Sequence, residues 1–329
     1  MFGQVDAQLH RLIKMTGIKA EKKESKRDER AQIRKDFQEK NDGKKPTSHQ
    51  INKEARIFSQ KTLENTLSTW RDFGNFLREK GIKDIEKATN RQVEKYLMEK
   101  IDKGVSHKEF QNVCARLTKL ESALNIYAKE DKYSFDKAIK FVKPIASVHL
   151  EKEIEARAYQ RPDQLIQAIS NEKFRLCAEV MHQSGARINE ASMIDEKRMG
   201  GFRIDDVRGE VGIINLEGAD TKGGKARELM VSKETYQKLE FYIKDNGKFN
   251  INRTSGERQK LREAIKEAAG ITGQKYTGAH GLRHCYAQER VHEKENIQGK
   301  SYLNAIAEVA KEMGHERPSI TEHYLRSAA

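Results

Sequence analysis

Two stretches decide how this chain is read: residues 279–287, AHGLRHCYA, and residues 312–326, EMGHERPSITEHYLR. In the first, His280 and Arg283 lie three apart, which places them on one face of a helix. In the second, Gly314-His315 precedes Tyr324 by nine residues. Composition alone produces a Gly-His followed nine residues later by Tyr on the order of 0.02 times in such a chain. Upstream, HQSGARINEASMI (182–194) carries Arg187. Between these motifs, GADTKGGKAR (218–227) carries Lys222 in a Gly- and Lys-rich turn.

The surroundings predict mixed secondary structure. VGIINL (211–216) and ELMV (228–231) read as strands flanking the lysine turn, with 202–207 as a third. The long segment MGGFRIDDVRGEVGIINLEGAD suggests an extended sheet or hairpin. Helices are expected over 174–183, 189–194, 233–245, 257–269, 280–295, 302–313 and 319–325. Pro162 suits the first turn of a helix. Farther upstream, apolar residues recur at helical spacing around Trp70, Tyr96 and Leu117, predicting a small bundle over residues 53–147. Its last helix is expected to stop before Pro144. Residues 148–161 read as a charged linker, and 162–329 as a larger domain. Residues 1–52 are the least core-like and are expected to form a basic arm, with 13 Lys and Arg against 8 Asp and Glu over 1–50. The predicted fold is mainly α with a small antiparallel β-sheet.

Composition narrows the function classes. At 329 residues the chain has room for two domains. No run approaches the ~20 apolar residues of a membrane span, and MFGQVDAQLH has no apolar signal core, so a cytoplasmic location is expected. Cys114, Cys177 and Cys285 are far apart and form no CxxC, which argues against disulfides or a zinc ribbon. The formal charge of +13 suits either a self-repelling soluble surface or a polyanion partner. Charge alone does not choose between them.

The ordered set Arg187, Lys222, His280-x-x-Arg283, His315 and Tyr324 resembles that of the tyrosine recombinase (phage integrase) family. GARINEA resembles its first arginine box, HGLRH its second, and MGHERPSITEHY its last. The resemblance covers roughly 160–329 by motif and reaches 53–145 only by architecture. It implies a two-domain clamp, in which a helical core-binding domain precedes a mixed α/β catalytic domain. The chemistry fits these residue types. Cutting a phosphodiester without metal needs a nucleophile, a clamp on the non-bridging oxygens and an acid for the leaving 5′ oxygen. Arg187 and Arg283 supply planar forks for the clamp. Lys222 suits the general acid, with Lys225 a rival that the family's TK-G pattern disfavours. His280 takes the tyrosine proton or donates to the phosphate, His315 donates a further hydrogen bond, and Tyr324 attacks. His284, Tyr276, Tyr286 and Tyr302 read as supporting or core residues, and Cys285 as a packed small hydrophobe. No metal or other cofactor is expected: no carboxylate completes a histidine metal motif, two arginines would repel a cation, and no phosphate-loop motif occurs.

The resemblance implies a site-specific recombinase that works through a 3′-phosphotyrosyl intermediate and a Holliday junction. Its partners would be double-stranded DNA with inverted half-sites, further copies of itself in a synaptic tetramer, and accessory DNA-bending proteins. Integration or excision of a mobile element is the favoured role. Resolution of replicon dimers, type IB topoisomerase activity and non-catalytic DNA regulation are the alternatives. Only LRSAA follows Tyr324, so protomer contacts are expected from elements other than a long C-terminal helix.

Overall fold

The computed structural model describes residues 3–21, 25–129, 132–151, 156–218, 221, 226–252, 254–315 and 317–325. The chain divides into two compact units, Met1–Glu153 and Ile154–Ala329.

The first unit is helical. Its elements are α1 (Val5–Thr16), α2 (Lys26–Lys40), α3 (Ser48–Glu54), α4 (Gln60–Glu79), α5 (Asn90–Asp102), α6 (His107–Ala128) and α7 (Asp136–His149). Trp70, Phe73, Tyr96 and Leu117 are buried in one core, and the Trp70 indole donates to the Arg116 carbonyl at 2.8 Å. The expectation of an arm over 1–52 needs correcting at its start. Val5, Leu9 and Leu12 of α1 and Ile18 beyond it lie in that same core. The buried Gln8 amide donates to the Lys83 carbonyl at 2.8 Å and accepts from the Ile85 N–H at 3.0 Å. The apolar spacing 5, 9, 12 makes a stripe one helix wide, which the charged run after it obscures in composition. Helix α2 has no buried residue. A second correction concerns Pro144, which lies inside α7. Ala138, Ile139, Val142 and Ala146 are buried along one side. A proline costs about 3 kcal/mol within a helix, and each large side chain buried there contributes about 1.5–3 kcal/mol. The stripe therefore carries the helix through.

The second unit contains α8 (Pro162–Gln167), α9 (Glu172–Ser184), β1 (Met193–Asp195), β2 (Met199–Asp205), β3 (Gly209–Leu216), β4 (Arg227–Ser232), α10 (Lys233–Asn246), β5 (Lys248–Asn250), α11 (Glu257–Ile271), α12 (His280–Asn296), α13 (Tyr302–Glu312) and α14 (Pro318–Glu322). Strands β2, β3 and β4 form an antiparallel sheet in that order, as the sequence predicts. The helix expected over 189–194 is instead a turn leading into β1, which pairs antiparallel with β5 through Ile194 and Phe249. Helix α12 is central, with every residue from Gly281 to Ala287 buried. A separate small core joins Tyr286, Ala287 and Val291 of α12 to Ile306 and Val309 of α13, and Tyr324 and Leu325 pack against it. Among the described residues no helix is long and apolar enough to cross a membrane.

Candidate active site

Three chain turns and one buried helix assemble the site. Helix α9 ends at Gly185, whose left-handed φ of 61° turns the chain toward Arg187. A side chain at 185 would strike the Tyr286 ring at 2.4 Å. Helix α13 ends similarly at Gly314 (φ 69°), and the His315 N–H caps it by donating to the Ala310 carbonyl at 2.7 Å. Helix α14 then returns the chain, so that Tyr324 lies against α12.

Arg283 is fully buried. Its guanidinium donates to the Gly185 carbonyl, to the Met313 carbonyl at 2.7 Å and to His315 Nε2 at 2.9 Å. Its Nε has no partner, and no carboxylate pairs with it among the described residues. Burial and the nearby charges of Arg187 and Arg227 push it down to about 10. A buried, uncompensated cation marks a place built for an anion.

Arg187 is braced by Glu190. The Arg187 N–H donates to Glu190 Oε2 at 2.7 Å and Nη1 donates to Oε1 at 2.8 Å. Arg227, at the start of β4, donates to the same Oε2 at 3.0 Å and to the Glu312 carbonyl at 2.9 Å. One buried carboxylate thus organises two of three clustered guanidinium groups. Burial, with Arg187 adding to it, lowers the Arg227 pKa even though Glu190 opposes this.

Tyr324 sits among three imidazoles. Its hydroxyl lies 3.1 Å from His280 Nε2, its ring centroid 4.5 Å from that of His284 and 5.3 Å from that of His315. The Arg283 guanidinium lies 5.4 Å from the tyrosine ring centroid, and Gln288 Nε2 donates to the Tyr324 carbonyl at 3.1 Å. Burial first, then the surrounding arginines, push His315 down to about 3. Burial and His280 push His284 down to about 4. Both rings are therefore neutral at pH 7.

The structure gives His315 a different hydrogen-bonding sense from the expected one. An arginine can only donate, so Nε2 accepts from Arg283 and offers no proton. A cavity of about 810 Å³ opens over these groups, lined among others by Arg187, His280, His315 and Tyr324, with Asn189, Arg262, Tyr276 and Arg317 at its walls. Of the six candidate residues, Arg187, His280, Arg283, His315 and Tyr324 come together here. Lys222 and its rival Lys225 lie outside the described residues. Tyr286 is buried and donates to Glu312 at 2.8 Å, and Tyr302 is exposed. Cys285 is buried, in contact with the Tyr159 backbone, and its thiol is pushed up to about 12 by burial. No group of three or more His, Cys, Asp or Glu able to hold a metal ion occurs among the described residues.

Sequence reasoning missed Glu190, Arg227 and Thr321, whose Oγ1 lies 2.8 Å from His315 Nδ1. Glu190 stands within the quoted GARINEA and Arg227 closes the quoted turn, but their pairing joins residues 37 apart in sequence. A carboxylate three residues from an arginine was the one available signal.

The sequence model of the phage integrase family matches residues 158–329. A comparison with curated proteins finds no match. Among solved structures, XerH site-specific recombinase bound to its difH substrate is similar with a TM-score of 0.59 at 14% identity, over 98% of this chain and 92% of that one. A lambda integrase dimer bound to a COC′ core site is similar with a TM-score of 0.56 at 16% identity, over 82% and 73%. The Tn1549 transposon integrase (residues 82–397) with circular intermediate DNA gives 0.53 at 15% identity, over 91% and 96%. At these identities the likeness is one of fold. The family match spans more than half of the sequence and contains the whole clustered site, so the chain belongs to the phage integrase, or tyrosine recombinase, family.

Proposed function

We propose that this protein is a site-specific DNA recombinase that cuts and rejoins strands through Tyr324. The observation that carries the reading is the buried Arg283, with no carboxylate partner among the described residues, beneath a tyrosine whose hydroxyl meets His280 at 3.1 Å. Arg187 and Arg283 hold the non-bridging oxygens of the scissile phosphate. The Tyr324 oxygen attacks phosphorus as its proton passes to His280 Nε2. The bond to the 5′ oxygen breaks, and that oxygen takes a proton from Lys222. A 3′-phosphotyrosyl link remains, conserving the energy of the broken bond. Attack by an incoming 5′ hydroxyl reverses each transfer and frees the tyrosine.

Such exchange needs two duplexes. The similar structures include lambda integrase as a dimer on a core site and as a tetramer on a Holliday junction. By that analogy this chain binds inverted half-sites and self-associates into a tetramer on nucleoid DNA, with accessory bending proteins where the sites are long. We read the role as integration or excision of a mobile element, supported by the exposed, charged α2. Dimer resolution is the second reading.

The test uses nicked duplexes enriched by binding to the full chain, in EDTA and without ATP. The expected result is an adduct that survives detergent in the wild type and is lost in Tyr324→Phe, which still binds the duplex. An adduct in Tyr324→Phe, or a strict need for divalent metal, overturns the reading.

A further inference from the structure

The hydrogen bonds around His315 allow only one arrangement of its protons. Nε2 lies 2.9 Å from Arg283 Nη2, and a guanidinium has no lone pair to offer. Nε2 is therefore the acceptor and carries no hydrogen. Burial among Arg283, Arg187 and Arg227, with His280 adding to their effect, keeps the ring neutral, so its single proton is on Nδ1. Nδ1 lies 2.8 Å from Thr321 Oγ1, which must accept it.

Thr321 is fully buried and sits in α14, three residues before Tyr324. Its own carbonyl accepts the Tyr324 N–H at 2.8 Å. The residue that sets the histidine's proton thus belongs to the segment that carries the nucleophile. We propose that Thr321 is a positioning residue that fixes His315 in its Nδ1–H form, so that seating the Tyr324 segment is what lets His315 hold the Arg283 fork. Without that acceptor, Nδ1–H would be buried and unpaired, and the ring would gain by moving its proton to Nε2. Arg283 would then meet an N–H where it now meets a lone pair. One of the clamp's three anchors would be lost, leaving the Gly185 and Met313 carbonyls. The clamp is thereby complete only when the nucleophile is in place, which guards the phosphate against activation with no tyrosine beside it.

The functional half of this inference rests on the recombinase reading; the tautomer half does not. The experiment compares the full-length wild type, Thr321→Val and Thr321→Ser, with histidine ring nitrogens labelled for NMR and the His315 signals assigned by their loss in His315→Gln. The free wild type and Thr321→Ser are expected in the Nδ1–H form, and Thr321→Val in the Nε2–H form or a mixture. On the nicked duplex, Thr321→Val should form adduct about 10- to 100-fold more slowly, by analogy with the loss of groups that orient metal-bound histidines. Its DNA affinity should be unchanged, and Thr321→Ser should restore the rate. A wild type in the Nε2–H form, or Thr321→Val that keeps Nδ1–H, overturns the proposal. So does Thr321→Val at the wild-type rate. If the wild type forms no adduct on any duplex, the recombinase reading falls while the tautomer result is read from the free protein.

Discussion

Helix α12 carries two buried arginines seven residues apart, on nearly the same face, and their surroundings are opposite. Arg290 is met by Asp205 at 2.7 Å, Glu293 at 2.8 Å and Glu312 at 3.1 Å. Burial alone would lower its pKa, but these carboxylates outweigh it and raise it. Arg283 has two backbone carbonyls and a histidine lone pair, and its pKa falls to about 10. The same residue type on the same helix is in one place a finished structural joint and in the other an open half of an ion pair. Desolvating a cation costs several kcal/mol unless a partner repays it. Among the described residues carboxylates repay Arg290 and none repays Arg283. On the proposed mechanism, the partner that Arg283 awaits is the substrate phosphate.

Substituting each arginine puts this contrast at risk. Arg283→Gln should slow adduct formation on the nicked duplex by about 10²–10³-fold or more without a matching loss of stability, measured by single-turnover cleavage and thermal melts. A collapse in melting temperature at intact activity would place Arg283 with the structural joints. Arg290→Met should do the reverse. Among the described residues it leaves Asp205 with only the backbone N–H groups of Val207 and Arg208, so denaturant unfolding should reveal a loss of about 3–5 kcal/mol, while folded molecules still cleave.

Inorganic phosphate sharpens the comparison without DNA. An anion entering the Arg283 hole should stabilise the wild type by about 1.4 kcal/mol at ten times its dissociation constant. Arg290→Met should keep the shift and Arg283→Gln should lose it; equal shifts in all three would place the anion elsewhere.

The smallest expected effect is in acid. His284 and His315 are held neutral, lowered from 6.5 to about 4 and about 3. An unfolded chain protonates them first, so the stability they contribute is complete above pH 6.5 and is lost as pH falls toward those values. In the Arg290 network, Glu308 is lowered from 4.5 to about 2, chiefly by hydrogen bonds from Lys294 and Lys300. Its contribution is complete above pH 4.5 and is lost as pH falls toward 2. Melting temperatures should therefore begin to decline near pH 6.5, and His315→Gln should flatten the decline between pH 6.5 and 4.5. An unaltered slope in that variant would mean that His315 is not held neutral.

The legible parts of the site are those written in short spacing. His280 and Arg283 share a helical face, and nine residues separate His315 from Tyr324, so a single turn and helix bring them back together. The β2–β4 sheet was legible because its β-rich runs flank a Gly-rich turn. The turn at 189–194 was not, since its apolar residues fit a helix until Ser192 accepts a hydrogen bond from Ile251 and β1 pairs with β5. Nor was the burial of α1, because its three large apolar residues become a core only when α4 and α6 cover them.

Sequence alone determined the chemistry: which side chains can attack, clamp and donate, because those capacities belong to residue types and their order along the chain. Tertiary structure decided the sense in which they are used. Among the described residues it left Arg283 without a carboxylate and surrounded Arg290 with three. It set Glu190 between Arg187 and Arg227, and it turned His315 from the expected donor into an acceptor. Each outcome depends on which groups share a desolvated space, where a missing or added partner is worth several kcal/mol, and that sharing is fixed by contacts between residues up to about a hundred positions apart.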